Sequence, residues 1–304
     1  MVISASRRCD IPAYCMDWLM GRIEAGYCLV RNPFDARSTR RVSLAPQDID
    51  FLVLWTRDPG PLLKRLSELE DRGVRFYVQM SLTGYPPALE PGAPKIEESI
   101  ASLRALADAL GSRRVLWRYD PIILAEGLGV DFHRRNFERL AAALEASTAR
   151  VTLSLVDEYA GTASRLERAG FPAAVFGSPK ARASQRLAAG SAADGSAPEP
   201  YPALLAELAA IARSRGMVPL SCAEPYDLSP LGIEAGACVD AQLAASLWGL
   251  ELPAAKDSGQ RKACRCAVSM DIGAYGTCPR GCVYCYANSG EGRLAPRGAG
   301  GEAL

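Results

Sequence analysis

Short runs of β-branched and aromatic residues alternate along this chain with amphipathic stretches of helical period, and that rhythm limits the folds open to it. The strand candidates are Val2–Ser6, Phe51–Thr56, Arg75–Leu82, Val115–Tyr119, Val151–Val156 and Met217–Cys222, with a weaker one at Val268–Ile272. Helical candidates between them are Pro61–Arg72, Ile96–Leu110, Phe132–Ala146, Ala163–Ala169 and Tyr201–Arg215. A repeated strand-then-helix order predicts a parallel sheet with crossover helices. Six or seven such units suit a full or partial TIM-like βα barrel. Two more strands, Cys28–Arg31 and Arg41–Leu44, flank a polar turn and read as a side hairpin.

At 304 residues and 49% hydrophobic content, the chain is expected to form a single domain. Residues 1–255 would make the barrel, with the hairpin near 28–44 and an Ala/Ser/Gly/Pro-rich flexible loop near 177–202. Residues 256–304 form a cysteine-rich C-terminal segment, and the tail after Asn288 is expected to fray. The net charge is +1 and neither half is strongly basic, so the footprint of a dedicated nucleic-acid binder is missing. No run approaches the roughly 18 apolar residues of a membrane span. The opening MVISASRRCD reads as a strand without a signal pattern. Ten cysteines without an export signal point to a reducing cytoplasm, where thiols serve as metal ligands more often than as disulfides.

The lone histidine, His133, is expected in the first turn of a helix as a surface or capping residue. Mixed Cys/His zinc sites and a Ser-His-Asp triad are therefore disfavoured. The chemistry must rest on thiolates, carboxylates, arginines and hydroxyls.

Three cysteines carry the most specific signal. Cys278, Cys282 and Cys285 lie in TCPRGCVYCY with the spacing C-x3-C-x2-C. A short loop of this kind can hold three corners of a [4Fe–4S] cube, with Gly281 allowing a tight bend and Pro279 stiffening the entry. The fourth iron is then free to bind a small molecule.

This motif resembles that of the radical S-adenosylmethionine (SAM) enzymes, in which an aromatic precedes the last cysteine, as Tyr284 does here. The resemblance implies that the open iron chelates SAM and that its reductive cleavage starts radical chemistry. It also implies an electron donor such as ferredoxin or flavodoxin, while the substrate, a small molecule or otherwise, stays unassigned. In that family the cysteines follow the first barrel strand, whereas here they come last. A circular permutation of the barrel reconciles the two, because first and last strands of a closed ring are neighbours. The segments SASRRCDIP, LWTRDP, WRYDPI and SMDIGAYGTCPRGCVYCYAN resemble a narrower group, the uncharacterised bacterial domain-of-unknown-function 1848 family, which has a radical-SAM-like cysteine cluster at its C-terminus.

Strand ends at a barrel mouth are where chemistry collects. Ser6-Arg7-Arg8 with Asp10, Arg57-Asp58, Ser81 with Thr83, and Arg118 with Asp120 all follow or end predicted strands. Arg118, Ser81 and Arg7 are expected to contact cofactor or substrate. The stretch SLTGYPPALEPGAPKIEESI resembles the middle of barrels related to the spore-photoproduct lyases. That resemblance makes Ser81 and Thr83 SAM-side candidates and Glu90 a weaker one. Gly300-Gly301-Glu302 matches a glycine-rich SAM motif only superficially and reads as chance.

Cys222, Cys238, Cys264 and Cys266 are enough for a second metal site, iron–sulfur ahead of zinc. The competing reading makes Cys222 and Cys238 small buried apolar residues. Cys9, Cys15 and Cys28 lack close ligand spacing and read as packing residues. Taken together, the sequence favours a radical-SAM-like [4Fe–4S] enzyme. The alternatives are a non-catalytic or electron-transfer iron–sulfur protein, closed by Cys264 or Cys266, and a zinc-stapled barrel.

Overall fold

The structure, a computed structural model, describes residues 1–33, 35–157, 159, 161–172, 197, 199–253, 255–287 and 301–304. Its centre is an eight-stranded sheet in which every neighbouring pair runs parallel. The strands are β1 (Val2–Ala5), β4 (Phe51–Thr56), β5 (Phe76–Ser81), β6 (Val115–Ile122), β7 (Arg150–Leu155), β8 (Val218–Cys222), β9 (Glu234–Gly236) and β10 (Met270–Asp271). Their spatial order is β10-β1-β4-β5-β6-β7-β8-β9. A separate antiparallel hairpin joins β2 (Tyr27–Asn32) to β3 (Asp35–Ser43), as the sequence suggested but with longer arms.

Parallel strands are buried on both faces, and their alternation assigns each residue a side. Leu52, Leu54, Phe76, Val78, Val115 and Trp117 join the large core beneath the crossover helices. That layer includes α2 (Met16–Ala25), α5 (Ile96–Leu110), α6 (Val130–Ala143) and α8 (Tyr201–Ser214), preceded by the short α1 (Ile11–Tyr14). In α5, Ser99, Leu103, Leu106 and Leu110 make one buried stripe, and the Glu98 carboxylate accepts the Lys95 N–H at its start. The predicted helix over 61–72 is broken into α3 (Gly60–Leu63) and α4 (Leu66–Asp71), where the Arg65 N–H turns back to the Leu62 carbonyl at 2.8 Å. The short α7 (Thr162–Arg168) follows β7.

The other face of the sheet presents Phe51, Val53, Tyr77 and Leu116 to a second core. It is filled by α9 (Ala241–Trp248) and the segments flanking it, with Trp248 stacked on Phe51 at 6.3 Å. Toward the C-terminal strand ends this face turns polar. Ser4, Gln79, Arg118 and Ser154 take over where the apolar residues stop.

The sheet brings β1 and β10 together, but by a different route from the expected one. β10 lies on the free edge of β1, pairing Ile3 with Met270 and Ser4 with Asp271, so the contact needs no closed ring. At the opposite edge stands β9, and no ladder joins β9 to β10 among the described residues. The gap is spanned instead by flanking backbone, with the Ala267 N–H donating to the Val239 carbonyl at 2.9 Å.

Three further expectations are corrected or left aside. His133 does lie in the first turn of α6, but it is fully buried, with Nδ1 2.9 Å from the Tyr119 hydroxyl and Nε2 2.9 Å from the Ile123 carbonyl. Most of the expected loop over 177–202 lies outside the described residues, as do residues 288–300. The last residues are docked rather than frayed: the Gly301 carbonyl accepts from the Trp18 indole at 2.7 Å, and Leu29 N–H donates to the Glu302 carbonyl at 2.8 Å. Gly301 and Glu302 therefore serve the hairpin side.

Candidate functional site

A cavity of about 740 Å³ opens at the C-terminal ends of β1, β4, β5, β6, β7, β8 and β10. Arg7, Ser81, Arg118 and Tyr284, four of the residues expected beside a cofactor, line it. Cys278, Cys282 and Cys285 line it as well, and so do Cys222, Cys238, Cys264 and Cys266. Thr83 does not reach the site in the expected way. Its hydroxyl is buried and donates to Glu90 at 2.6 Å.

Asp271, the last residue of β10, fixes where the cysteine loop departs. Its carboxylate accepts from Ser4 Oγ (2.9 Å), Ser6 Oγ (2.6 Å), Arg7 N–H (2.8 Å) and Gly273 N–H (3.0 Å). Gly273 is held so closely that a Cβ there would overlap Ser6 Oγ. The loop beyond is clamped from the β5–α5 connection. Val283 N–H donates to the Leu89 carbonyl at 3.0 Å, Gly92 N–H to the Arg280 carbonyl at 3.1 Å, and Arg280 Nη1 to the Gly92 carbonyl at 2.6 Å. From α7, Arg165 donates to the carbonyls of Val283 (2.8 Å) and Cys285 (3.0 Å). Gly281 sits at φ 75°, the left-handed conformation expected for the bend.

Beneath the loop lies a buried polar network. Arg57 pairs with Glu90 at 2.9 Å, and Tyr284 hydrogen-bonds both. Arg280 pairs with Asp10 at 3.1 Å, and Asp10 also accepts the Arg57 N–H at 3.0 Å. Positive charge thus stands close to the cysteines on two sides. As a thiol, Cys282 is pushed up to about 12 by burial. Cys278 is also raised, first by its contact with Cys9 and then by burial.

Cys9 was read as a packing residue, and it is buried, but its thiol also meets those of Cys15 and Cys278 and it lines the cavity. Chain spacing could not reveal this, since only the β1–β10 pairing brings the two segments together. Cys28 is fully buried in the hairpin and packs as expected. Arg57 is one of the polar strand ends the sequence offers, whereas nothing in the sequence marks Asp271 or Arg280 as builders of the site.

The donor set suits a thiophilic centre: three thiols on one short loop face a cavity with arginines nearby and no histidine. Among the described residues, no three His, Cys, Asp or Glu side chains are gathered to hold a metal ion. A cubane would place its thiolates on separate corners instead of drawing them to one point, so three cysteines lining one cavity are compatible with it.

Comparison with known proteins adds little to this geometry beyond a family. A deoxyribose phosphate aldolase from Aeropyrum pernix, described as having a unique tetrameric structure, is 14% identical, with 67% of this chain and 80% of that chain covered. The TM-score is 0.26, too low to bear on fold or function. The curated proteins contain no match to the chain. The model of one family, described as a domain of unknown function (DUF1848), matches residues 2–287. The chain belongs to that family.

Proposed function

We propose that the chain is a radical-SAM-like [4Fe–4S] protein that cleaves SAM reductively to start radical chemistry on a still unassigned substrate. One observation carries the reading. β10 sits at the sheet edge beside β1 and delivers Cys278, Cys282 and Cys285 into the cavity that Arg7, Ser81 and Arg118 line. The order β10-β1-β4-β5 is what a permuted radical-SAM barrel would require, with the cysteine loop following the strand that is first in space and last in sequence. Cys278, Cys282 and Cys285 would hold the cluster, and its open iron would bind the amino and carboxylate groups of SAM and supply the cleaving electron.

The protein's own contribution is position and charge. Arg118, fixed by Asp120 and over the Trp55 ring at 5.1 Å, and Arg7, over the same ring at 5.9 Å, place cations where a bound carboxylate would lie. Ser81 pairs in register with Arg118 and offers a hydroxyl at the same rim. Tyr284 is held by Arg57 and Glu90, which fixes the loop between Cys282 and Cys285. The reading brings with it a ferredoxin or flavodoxin as electron donor and a reducing, cytoplasmic setting. No helix among the described residues is long and apolar enough to cross a membrane.

A second reading rests on Cys9. Its contact with Cys278 offers a fourth thiolate, which would close the cluster and leave an electron-transfer protein. Cys264 and Cys266, the other candidates for that closing role, interact with each other, and Cys266 also with Cys238.

Anaerobic reconstitution followed by addition of SAM and a low-potential reductant tests the proposal. The expected result is 5′-deoxyadenosine, together with an EPR signal that shifts when SAM is added. Both should vanish in Cys278→Ala, Cys282→Ala and Cys285→Ala. A fully loaded cluster whose signal ignores SAM and yields no 5′-deoxyadenosine overturns it in favour of the closed cluster.

A further inference from the structure

Four other thiols line the same cavity and meet one another. Cys222 ends β8, Cys238 follows β9, and Cys264 and Cys266 precede β10. The Sγ atoms of Cys222 and Cys238 are 3.0 Å apart, inside ordinary sulfur contact. The Cys266 thiol interacts with those of both Cys238 and Cys264. Four side chains from three separate segments thus form one continuous set of sulfurs.

Their surroundings suit thiolates better than inert thiols. Arg118 Nη1 donates to Cys238 Sγ at 2.7 Å. Val239 N–H donates to Cys266 Sγ at 3.4 Å, and Cys266 N–H to Cys264 Sγ at 3.5 Å. Donors aimed at sulfur stabilise charge on it, as the ligands of a metal centre require. Cysteines acting only as small apolar residues would need no such donors.

We propose that Cys222, Cys238, Cys264 and Cys266 form a four-thiolate metal site, separate from the Cys278 loop and filled by a thiophilic metal, as zinc or as an iron–sulfur centre. Cys238 follows the edge strand β9, Cys264 and Cys266 precede the other edge strand β10, and Cys222 ends β8 beside β9. The site bridges the gap between β9 and β10, where the Ala267–Val239 hydrogen bond already spans the backbone. The metal replaces the protons that link the thiols now, drawing a chain of sulfurs into a shell. Its role is to staple the two sheet edges and hold Arg118, through Cys238, against the cavity.

The experiment is metal and sulfide analysis with native mass spectrometry, on chain produced with both zinc and iron supplied and purified without oxygen. The triple variant Cys278→Ala, Cys282→Ala, Cys285→Ala leaves the four-thiolate site intact. It should keep about one zinc, or an iron–sulfur centre with matching sulfide, per chain. Zinc and iron–sulfide are the two forms of the proposed site, and the analysis says which is present. In the otherwise intact chain, Cys264→Ser with Cys266→Ser should lose that one centre, which keeps the test open if the triple variant does not fold. A folded triple variant holding neither metal overturns the proposal. So does a Cys264→Ser/Cys266→Ser chain with wild-type metal content, or a Cys222–Cys238 disulfide in the anaerobic protein. Failure of the Cys278 cluster would look different, since wild type and triple variant would then carry the same single centre.

Discussion

Replacing Asp271 by Asn tests whether this carboxylate sets the exit of the cysteine loop. Its Oδ1 accepts from Ser6 Oγ and Gly273 N–H, and its Oδ2 from Ser4 Oγ and Arg7 N–H. The serine hydroxyls can rotate to accept from an amide, but the two backbone N–H groups cannot. Either orientation of the substituted amide therefore turns its NH₂ toward one of them. One hydrogen bond to a charged acceptor is lost, at about 1.5–3 kcal/mol, and a partly buried donor is left unmatched at about 1–3 kcal/mol. Because the site is only partly buried, the low end of both applies, and a loss of about 2–3 kcal/mol follows. At roughly 2–4 °C per kcal/mol for a chain of this size or somewhat smaller, Tm should fall by about 5–10 °C. Far-UV circular dichroism on anaerobic protein measures it, and a urea titration checks that the m-value is unchanged. Alkylation of Cys278 should speed up in the same variant, since the loop loses its anchor. A Tm within about 1 °C of wild type, with Cys278 no more reactive, would refute the reasoning.

Glu90→Gln removes one partner of the buried Arg57 pair and should destabilise the chain by about 3 kcal/mol, read by urea unfolding. Gly273→Ala forces a methyl into Ser6 Oγ and should cost about 1–3 kcal/mol, whereas Gly111→Ala, with open space around it, should strain only the backbone and leave Cys278 alkylation unchanged. Burial lowers His133 to about 4, below the unfolded value of about 6.5. The unfolded chain thus binds the proton first, so this histidine's contribution is fully present above about pH 6.5 and is lost as pH falls toward about 4. As the lone histidine it gives one set of imidazole NMR signals, which should stay in the neutral form at about pH 5; titration near 6.5 would contradict the burial.

The sheet strands were legible because a parallel strand buried on both faces is a short apolar run, as in Phe51–Thr56, found at its predicted bounds. α9 was missed because AQLAASLW is built from small residues with weak contrast between its faces, and its packing against Phe51 is purely tertiary. The cysteine loop announced itself since its C-x3-C-x2-C spacing is local. Its partners did not: Cys9 meets Cys278 and Ser4 meets Asp271 only after β1 and β10 pair. Thr83 shows the limit of reading strand ends. Ser81 is still in the ladder, where alternation sets its side, but the chain leaves the sheet before Thr83, which turns to Glu90.

The pairing of β10 with β1 also sets a timetable for synthesis. Ser4 and Asp271 are 267 residues apart, so at about 5–20 residues per second the edge of β1 waits roughly 13–53 s for its neighbour to be made. Through that interval one side of the nascent sheet offers unpaired backbone groups, the kind of edge on which chains stick to one another. The cavity lacks one wall for the same time, and the Cys278 loop is among its last parts to be translated. Any cofactor seated on that loop is therefore loaded onto a sheet already laid down, and a ribosome that stalls before Met270 releases a chain with an open edge and no loop to fill.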